Sequence, residues 1–232
     1  MKALVIIPAY NEEKSIVPVI HSVKKWHPNI DIVVVNDGSK DETSRVAKET
    51  GLAHVVDLPV NLGIGGAVQT GYLFAFRNNY DIAIQIDADG QHDPADLEKI
   101  IEVVASGEAA CCVGSRFVEK TEYKPSFFRG FGINFFSNMI KMTVGKRITD
   151  PTSGFRAVNR QVIEVFANYY PDDYPEVEAI VLLERMGHSV KEASVHMHSR
   201  SAGRSSITPF KSMYYMIKVS LAVIMTRIRN VN

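Results

Sequence analysis

The stretch IAIQIDADGQHDP, residues 82–94, decides the fold. Ile82-Ala83-Ile84-Gln85-Ile86 lacks the polar alternation of a half-exposed strand, as a parallel strand covered on both faces should. It stops abruptly at Asp87 and Asp89, and Asp93-Pro94 then opens a helix with proline in its first turn, where a missing N–H costs nothing. The same pattern repeats outward on both sides. Ala3 to Ile7, Ile32 to Val35, His54 to Leu58 and Ala109 to Val113 are further apolar runs. Between them, Glu12 to Trp26 sets Ile16, Val19, Ile20 and Val23 at helical spacing. Asn11 is placed to cap that helix, Glu12 and Glu13 suit its positive end, and Pro18 is the one objection to it. Ser39-Lys40-Asp41-Glu42 starts a second helix, and Gly63 to Asn78 forms a third. This alternation predicts an α/β fold with a largely parallel sheet flanked by helices.

After Ser115 the pattern changes. Lys120 to Arg129 reads as a loop, Phe131 to Met142 as an aromatic amphipathic helix, and Thr149 to Gly154 as a turn cluster, so this half is expected to decorate the sheet rather than extend it. No linker or repeat divides residues 1–232, which are expected to form one domain with residues 209–232 as an apolar C-terminal helical segment.

Hydrophobic residues at 46% and charged residues at 22% exclude a disordered or collagen-like chain. Lys plus Arg and Asp plus Glu balance at 26 each, so no net charge points to nucleic acid. Cys111 and Cys112 are adjacent in an apolar run, poor geometry for a disulfide and the wrong spacing for a metal site, and they read as core residues of a cytosolic protein. The first apolar run is too short for a signal peptide and no run reaches the roughly 18 residues of a membrane span, so a cytoplasmic location is expected. Met213 to Ile228 is apolar on most faces and carries Lys218 and Arg227, with Lys211 before it and Arg229 after. Two readings stand: a helix lying in a membrane interface with its basic side chains snorkelling, or one packed on the body of the protein or on a second copy.

In open α/β sheets ligands sit at the carboxyl ends of the strands. There stand Pro8-Ala9-Tyr10-Asn11-Glu12, Asn36-Asp37-Gly38-Ser39, Asn61 to Ala67 and Asp87 to His92. Asp87 and Asp89, with Gln91, supply hard oxygen ligands suited to Mg2+ or Mn2+, although such pairs are also common as solvated turn residues. The glycines from Gly63 to Gly66 fit neither the dinucleotide fingerprint nor a P-loop, and serve equally as a tight turn or as a close approach to phosphate.

Taken together, PAYNE at 8–12, NDGS at 36–39, NLGIGGA at 61–67, DADGQHDP at 87–94, GSR at 114–116, DPTSGFR at 150–156 and RSAGRSS at 200–206 resemble the family 2 inverting glycosyltransferases of the GT-A fold. Within that family they resemble the branch of dolichyl-phosphate mannose synthase and the bacterial polyprenyl-phosphate glycosyltransferases. The resemblance implies that Pro8, Ala9, Tyr10, Glu12, Asp37, Gly66 and Asp87 hold the nucleotide. It implies that Asp87, Asp89 and Gln91 hold Mg2+ or Mn2+ and the diphosphate, and that Arg116, Arg129 and Arg200 meet an acceptor phosphate, with Arg204 a weaker candidate. Ser206 departs from the pattern, since the mannose synthases typically carry lysine there, which weakens the transfer of acceptor contacts to this chain. His198, in line with His196 along a strand, is placed where some relatives complete a metal shell. Asp150 would be the base for a hydroxyl acceptor, with Glu178 as alternate, and Glu176 lies near it in the acceptor region. Each has a plainer reading: helix capping for Tyr10 and Glu12, solvation for the arginines, and a turn cap for Asp150.

The expected function is metal-dependent, inverting transfer from a nucleotide-sugar to polyprenyl phosphate at the cytoplasmic face of a membrane, with Asp89, Asp150 and Arg116 as catalytic residues. The rival acceptor is a saccharide hydroxyl in polysaccharide assembly. A sugar-phosphate nucleotidyltransferase would carry an arginine-containing glycine loop where PAYNE stands, and a silent scaffold would have no use for Asp87, Asp89 and Gln91.

Overall fold

The computed structural model describes residues 1–119, 127–172, 175–198, 216, 218–223 and 225, with the side chains of 127–129 left aside. In chain order the elements are β1 (Ala3–Ala9), α1 (Ile16–Trp26), β2 (Asp31–Asn36), α2 (Thr43–Glu49), β3 (His54–Asp57), α3 (Gly63–Arg77), β4 (Ile82–Gln85), α4 (Leu97–Ala105), β5 (Cys111–Ser115), α5 (Phe127–Val144), β6 (Arg156–Asn159), α6 (Arg160–Asn168), α7 (Pro175–Arg185) and β7 (Val190–Ser194). The strands form one sheet in the order β3-β2-β1-β4-β6-β5-β7. All neighbours are parallel except β6, which runs antiparallel to both β4 and β5.

Period-two alternation divides the strand residues between two cores. Leu4, Ile6, Val33, Val35 and Ala83 face α3, α5, α6 and α7. Val5, Ile7, Ile32, Val34 and Ile84 face α1, α2 and α4. Cys111 falls in the first cluster and Cys112 in the second, so neighbouring cysteines point to opposite faces. Burial pushes their thiols up to about 11 and about 12. Close packing also explains a glycine: a Cβ on Gly71 of α3 would lie 2.2 Å from Cγ2 of Ile6, so its absence lets the helix settle onto β1.

Several local expectations shift. The first helix begins at Ile16, not Glu12, because Asn11 adopts φ 57° and its side chain accepts from the Lys40 N–H instead of capping the helix. Pro18 then falls in the first turn, where no intrahelical N–H is lost. Asp93 accepts from the Ala95 N–H and caps a 3-10 turn, Pro94–Asp96, that leads into α4.

The second half does more than decorate: β6 inserts between β4 and β5, and β7 adds the edge beyond β5. Of the C-terminal segment, the described residues are helical; Val219 and Val223 join the core, while Leu221 and Met225 are exposed. No helix among the described residues is long and apolar enough to cross a membrane.

Candidate active site

The sheet order reverses at β1, which has β2 on one side and β4 on the other, and this is where an open α/β sheet leaves a crevice at its carboxyl edge. The β1–β2 register runs on to Ala9 and Asn36, but the β1–β4 register stops at Ile6 and Gln85. Pro8, without an N–H, stands just past the point where β1 and β4 part, a position that asks for no ladder bond on that side. Because β6 is antiparallel, its first residue, Arg156, pairs with Gln85 and Val113 near the ends of β4 and β5. Segments 8–12, 36–39, 87–92, 115–116 and 150–156 therefore meet along one edge, although up to 148 residues separate them in the chain.

Asp87 and Asp89 follow β4. The Asp87 side chain is 40% exposed, whereas Asp89 is 5% exposed and its Oδ1 accepts from the Gln91 N–H at 3.0 Å. Asp89 is thus no freely exposed strand-end carboxylate; one of its oxygens shapes the turn that presents Gln91. A Cβ on Gly154 would lie 3.1 Å from Oδ1 of Asp87 and 3.2 Å from Nε2 of Gln85, so a larger residue there would press on this carboxylate and displace it by a few tenths of an ångström. His92 is buried and stacks on Phe155 with ring centroids 4.9 Å apart. Its Nδ1 accepts from the Asp87 N–H at 3.0 Å, which leaves the proton of the neutral ring on Nε2.

Two carboxylates and an amide oxygen suit a hard divalent cation whose remaining ligands are water and phosphate oxygens. No group of three or more His, Cys, Asp or Glu is placed to hold a metal among the described residues. The main chain of 196–198 runs alongside: His92 bridges Met197, and the His198 N–H donates to the Gln91 carbonyl at 2.8 Å. The two histidines lie beyond β7, and each has an acidic partner, Asp96 for His196 and Asp93 for His198, both at 3.1 Å. Burial alone would raise Asp96, but the His196 backbone N–H and the Lys99 ammonium outweigh it and hold the carboxyl below its ordinary value.

The segments expected to hold the nucleotide are tied to one another. Asn11 N–H donates to Ser39 Oγ, and Glu12 N–H to Thr43 Oγ1. The Glu12 carboxylate accepts from Ser15 Oγ at 2.5 Å, while Tyr10 is exposed. Asp37 is buried, with one oxygen accepting from Leu62 N–H at 2.7 Å and the other from Gly63 N–H at 3.0 Å. The positive end of α3 is thus met by the protein's own carboxylate. The glycines that follow serve packing: a Cβ on Gly65 would lie 2.2 Å from the Asp172 carbonyl, and one on Gly66 would lie 2.6 Å from Cβ of Leu62.

Arg116 and Asp150, expected as phosphate ligand and base, are each other's partners. Nε and Nη2 of Arg116 donate to the two Asp150 oxygens at 2.6 Å each, with Arg116 2% and Asp150 0% exposed. Glu192 on β7, which sequence reasoning missed, fixes this turn by accepting from the Thr149 and Asp150 N–H groups at 2.7 and 2.8 Å. Only its place in the alternation of β7 could have pointed to it. Glu178 is nearly buried and accepts from the Tyr169 hydroxyl at 3.4 Å. Glu176 is raised from its ordinary value by burial, opposed by Arg156 and helped by Asp87. The Arg129 side chain, Arg200, Arg204 and Ser206 lie outside the described set.

Residues 4–166 match the family described as Glycosyl transferase family 2. The chain is 31% identical over 228 residues to polyprenol monophosphomannose synthase of Mycolicibacterium smegmatis, covering 94% of this chain and 86% of that one. It is 28% identical over 246 residues to UDP-N-acetylglucosamine--dolichyl-phosphate N-acetylglucosaminyltransferase of Methanococcus voltae, covering 95% and 96%. Among solved structures, glucosyl-3-phosphoglycerate synthase from Mycobacterium tuberculosis in complex with Mn2+, uridine diphosphate and phosphoglyceric acid superposes with a TM-score of 0.73 at 21% identity, covering 100% of this chain and 80% of that one.

Proposed function

The chain belongs to glycosyl transferase family 2 and is a glycosyltransferase, and from that premise we propose that it transfers a sugar from a nucleotide-sugar to a polyprenyl phosphate, with inversion. The observation that carries the choice of acceptor is the state of Asp150. A hydroxyl acceptor needs a base, and Asp150, the leading candidate, is sealed from solvent with both oxygens committed to Arg116. A phosphate acceptor is already an anion and needs alignment and charge neutralisation instead. The relatives' names point the same way: one is a polyprenol monophosphomannose synthase and another acts on dolichyl phosphate.

In this reading the acceptor phosphate oxygen attacks C1 of the sugar from the face opposite the nucleoside diphosphate. The C1–O bond breaks, its electron pair leaves on the diphosphate, and the configuration at C1 inverts. Asp87, Asp89 and Gln91 hold Mg2+ or Mn2+, which when bound neutralises charge on the leaving diphosphate. Pro8, Ala9, Tyr10 and Glu12 line the nucleotide's side of the crevice. Asp37 and Gly66 shape that side through the N-terminus of α3. Arg129 and Arg200 are the cations assigned to the acceptor phosphate, while Arg116 acts from behind by fixing Asp150. An acceptor with a long lipid chain keeps its phosphate at a bilayer surface, so the enzyme works there, with the C-terminal segment as its docking element.

A thermal-shift screen of UDP-, GDP- and dTDP-sugars with and without Mn2+ tests the donor half. A ligand at about 100 times its Kd stabilises by about 2.7 kcal/mol, which for a chain of this size raises the midpoint by roughly 5 to 11 °C. One nucleotide series is expected to give that shift only with Mn2+. No shift with any donor, or the same shift in excess chelator, contradicts the proposal.

A further inference from the structure

Arg156 is the largest fully buried side chain among the described residues, at 0% exposure, at the first position of β6. Its Nη2 donates to the Ser153 carbonyl at 2.7 Å and reaches the Glu176 carbonyl at 3.5 Å. Among the described residues its Nε and Nη1 have no hydrogen-bond partner, and neither has the hydroxyl of buried Tyr72. The Tyr170 hydroxyl donates to Oε1 of Gln85, the residue paired with Arg156 across the sheet. Packing alone gives no return for such a group, because an apolar side chain of similar volume is commonly neutral or stabilising in place of a buried charge.

What the guanidinium holds is specific. Ser153 immediately precedes Gly154, the residue whose backbone passes so close to Asp87 that a Cβ there would sit 3.1 Å from the carboxylate oxygen. Glu176 lies in the first turn of α7. We propose that Arg156 is a positioning residue for the donor site: by holding the Ser153 carbonyl it sets the Gly154 backbone against the Asp87 carboxylate, and by reaching the Glu176 carbonyl it ties the start of α7 to the same edge. This inference rests on the reading of Asp87 as a cation and diphosphate residue.

The test compares the parent with Arg156→Met, Arg156→Lys and Gly154→Ala. Mn2+ affinity is measured from the loss of the free-ion paramagnetic resonance signal in the presence of UDP or GDP, and melting is followed without metal. Arg156→Met is expected to weaken Mn2+ binding by about 10-fold or more, the usual cost of losing a partner that orients a ligand. Arg156→Lys, which retains a donor for the Ser153 carbonyl, should recover part of that loss. Gly154→Ala should weaken Mn2+ binding in the same direction with Arg156 intact, because its Cβ, 3.1 Å from Oδ1 of Asp87, presses on the same carboxylate. Should Arg156→Met fail to fold, the other two variants decide the same question. Lowered melting midpoints together with Mn2+ affinities within twofold of the parent would overturn the positioning role. A parent that takes no Mn2+ with either nucleotide would overturn the donor-site reading itself, and this inference with it.

Discussion

Replacing Asp89 by asparagine is expected to lower the transfer rate by about 1,000-fold, the equivalent of roughly 4 kcal/mol of lost charge stabilisation in the transition state. Asparagine is the right replacement because Asp89 is nearly buried and its Oδ1 accepts from the Gln91 N–H. An amide oxygen keeps that bond, so the turn survives while the negative charge is lost. Melting should therefore stay within about 1 kcal/mol of the parent, the worth of a single hydrogen bond. Mn2+-dependent donor binding, read by calorimetry, should disappear. A variant that turns over at the parental rate would remove Asp89 from the site.

The second large effect falls on stability. Arg116→Ala and Asp150→Ala each remove one half of a buried bidentate ion pair, which costs about 3 to 5 kcal/mol. At the 2–4 °C per kcal/mol typical of a chain this long, the melting midpoint should fall by roughly 6 to 20 °C in either variant. Because the pair is bidentate, the double variant should lose much less than the two single losses added together. If Arg116→Ala melts like the parent and loses only acceptor use, then Arg116 is a phosphate ligand in its own right.

The parallel half of the sheet was legible because each of its strands is a short apolar run ending in polar residues, and burial on both faces leaves that mark in the local sequence. The antiparallel insertion left no such mark. β6 is four residues, Arg-Ala-Val-Asn, beginning with a buried arginine, and its partners in β4 lie more than 70 residues earlier. β7 carries Lys191 and Glu192 within its five residues. Its pairing with β5 is decided by tertiary context, to which strand propensity routinely yields.

The site divides in the same way. The placement of Asp87 and Asp89 just past the end of β4 could be read from the sequence. The partners those residues take up could not, because Arg116 meets Asp150 across 34 positions and Glu192 reaches the same turn across 42. Asp37 was legible as a strand-end carboxylate, but its commitment to the first N–H groups of α3 depends on where that helix begins. Arg156 was visible as the last letter of DPTSGFR. That it is buried with two idle donors is a property of the assembled core.

The central claim is transfer to a lipid phosphate, and the direct test offers the purified enzyme, with Mn2+ and the donor found by thermal shift, two acceptors side by side: a short-chain polyprenyl phosphate and a panel of free saccharides. The account predicts a glycosyl polyprenyl phosphate with C1 inverted relative to the donor, and no product on the saccharides. Product on saccharide hydroxyls with none on polyprenyl phosphate would contradict it.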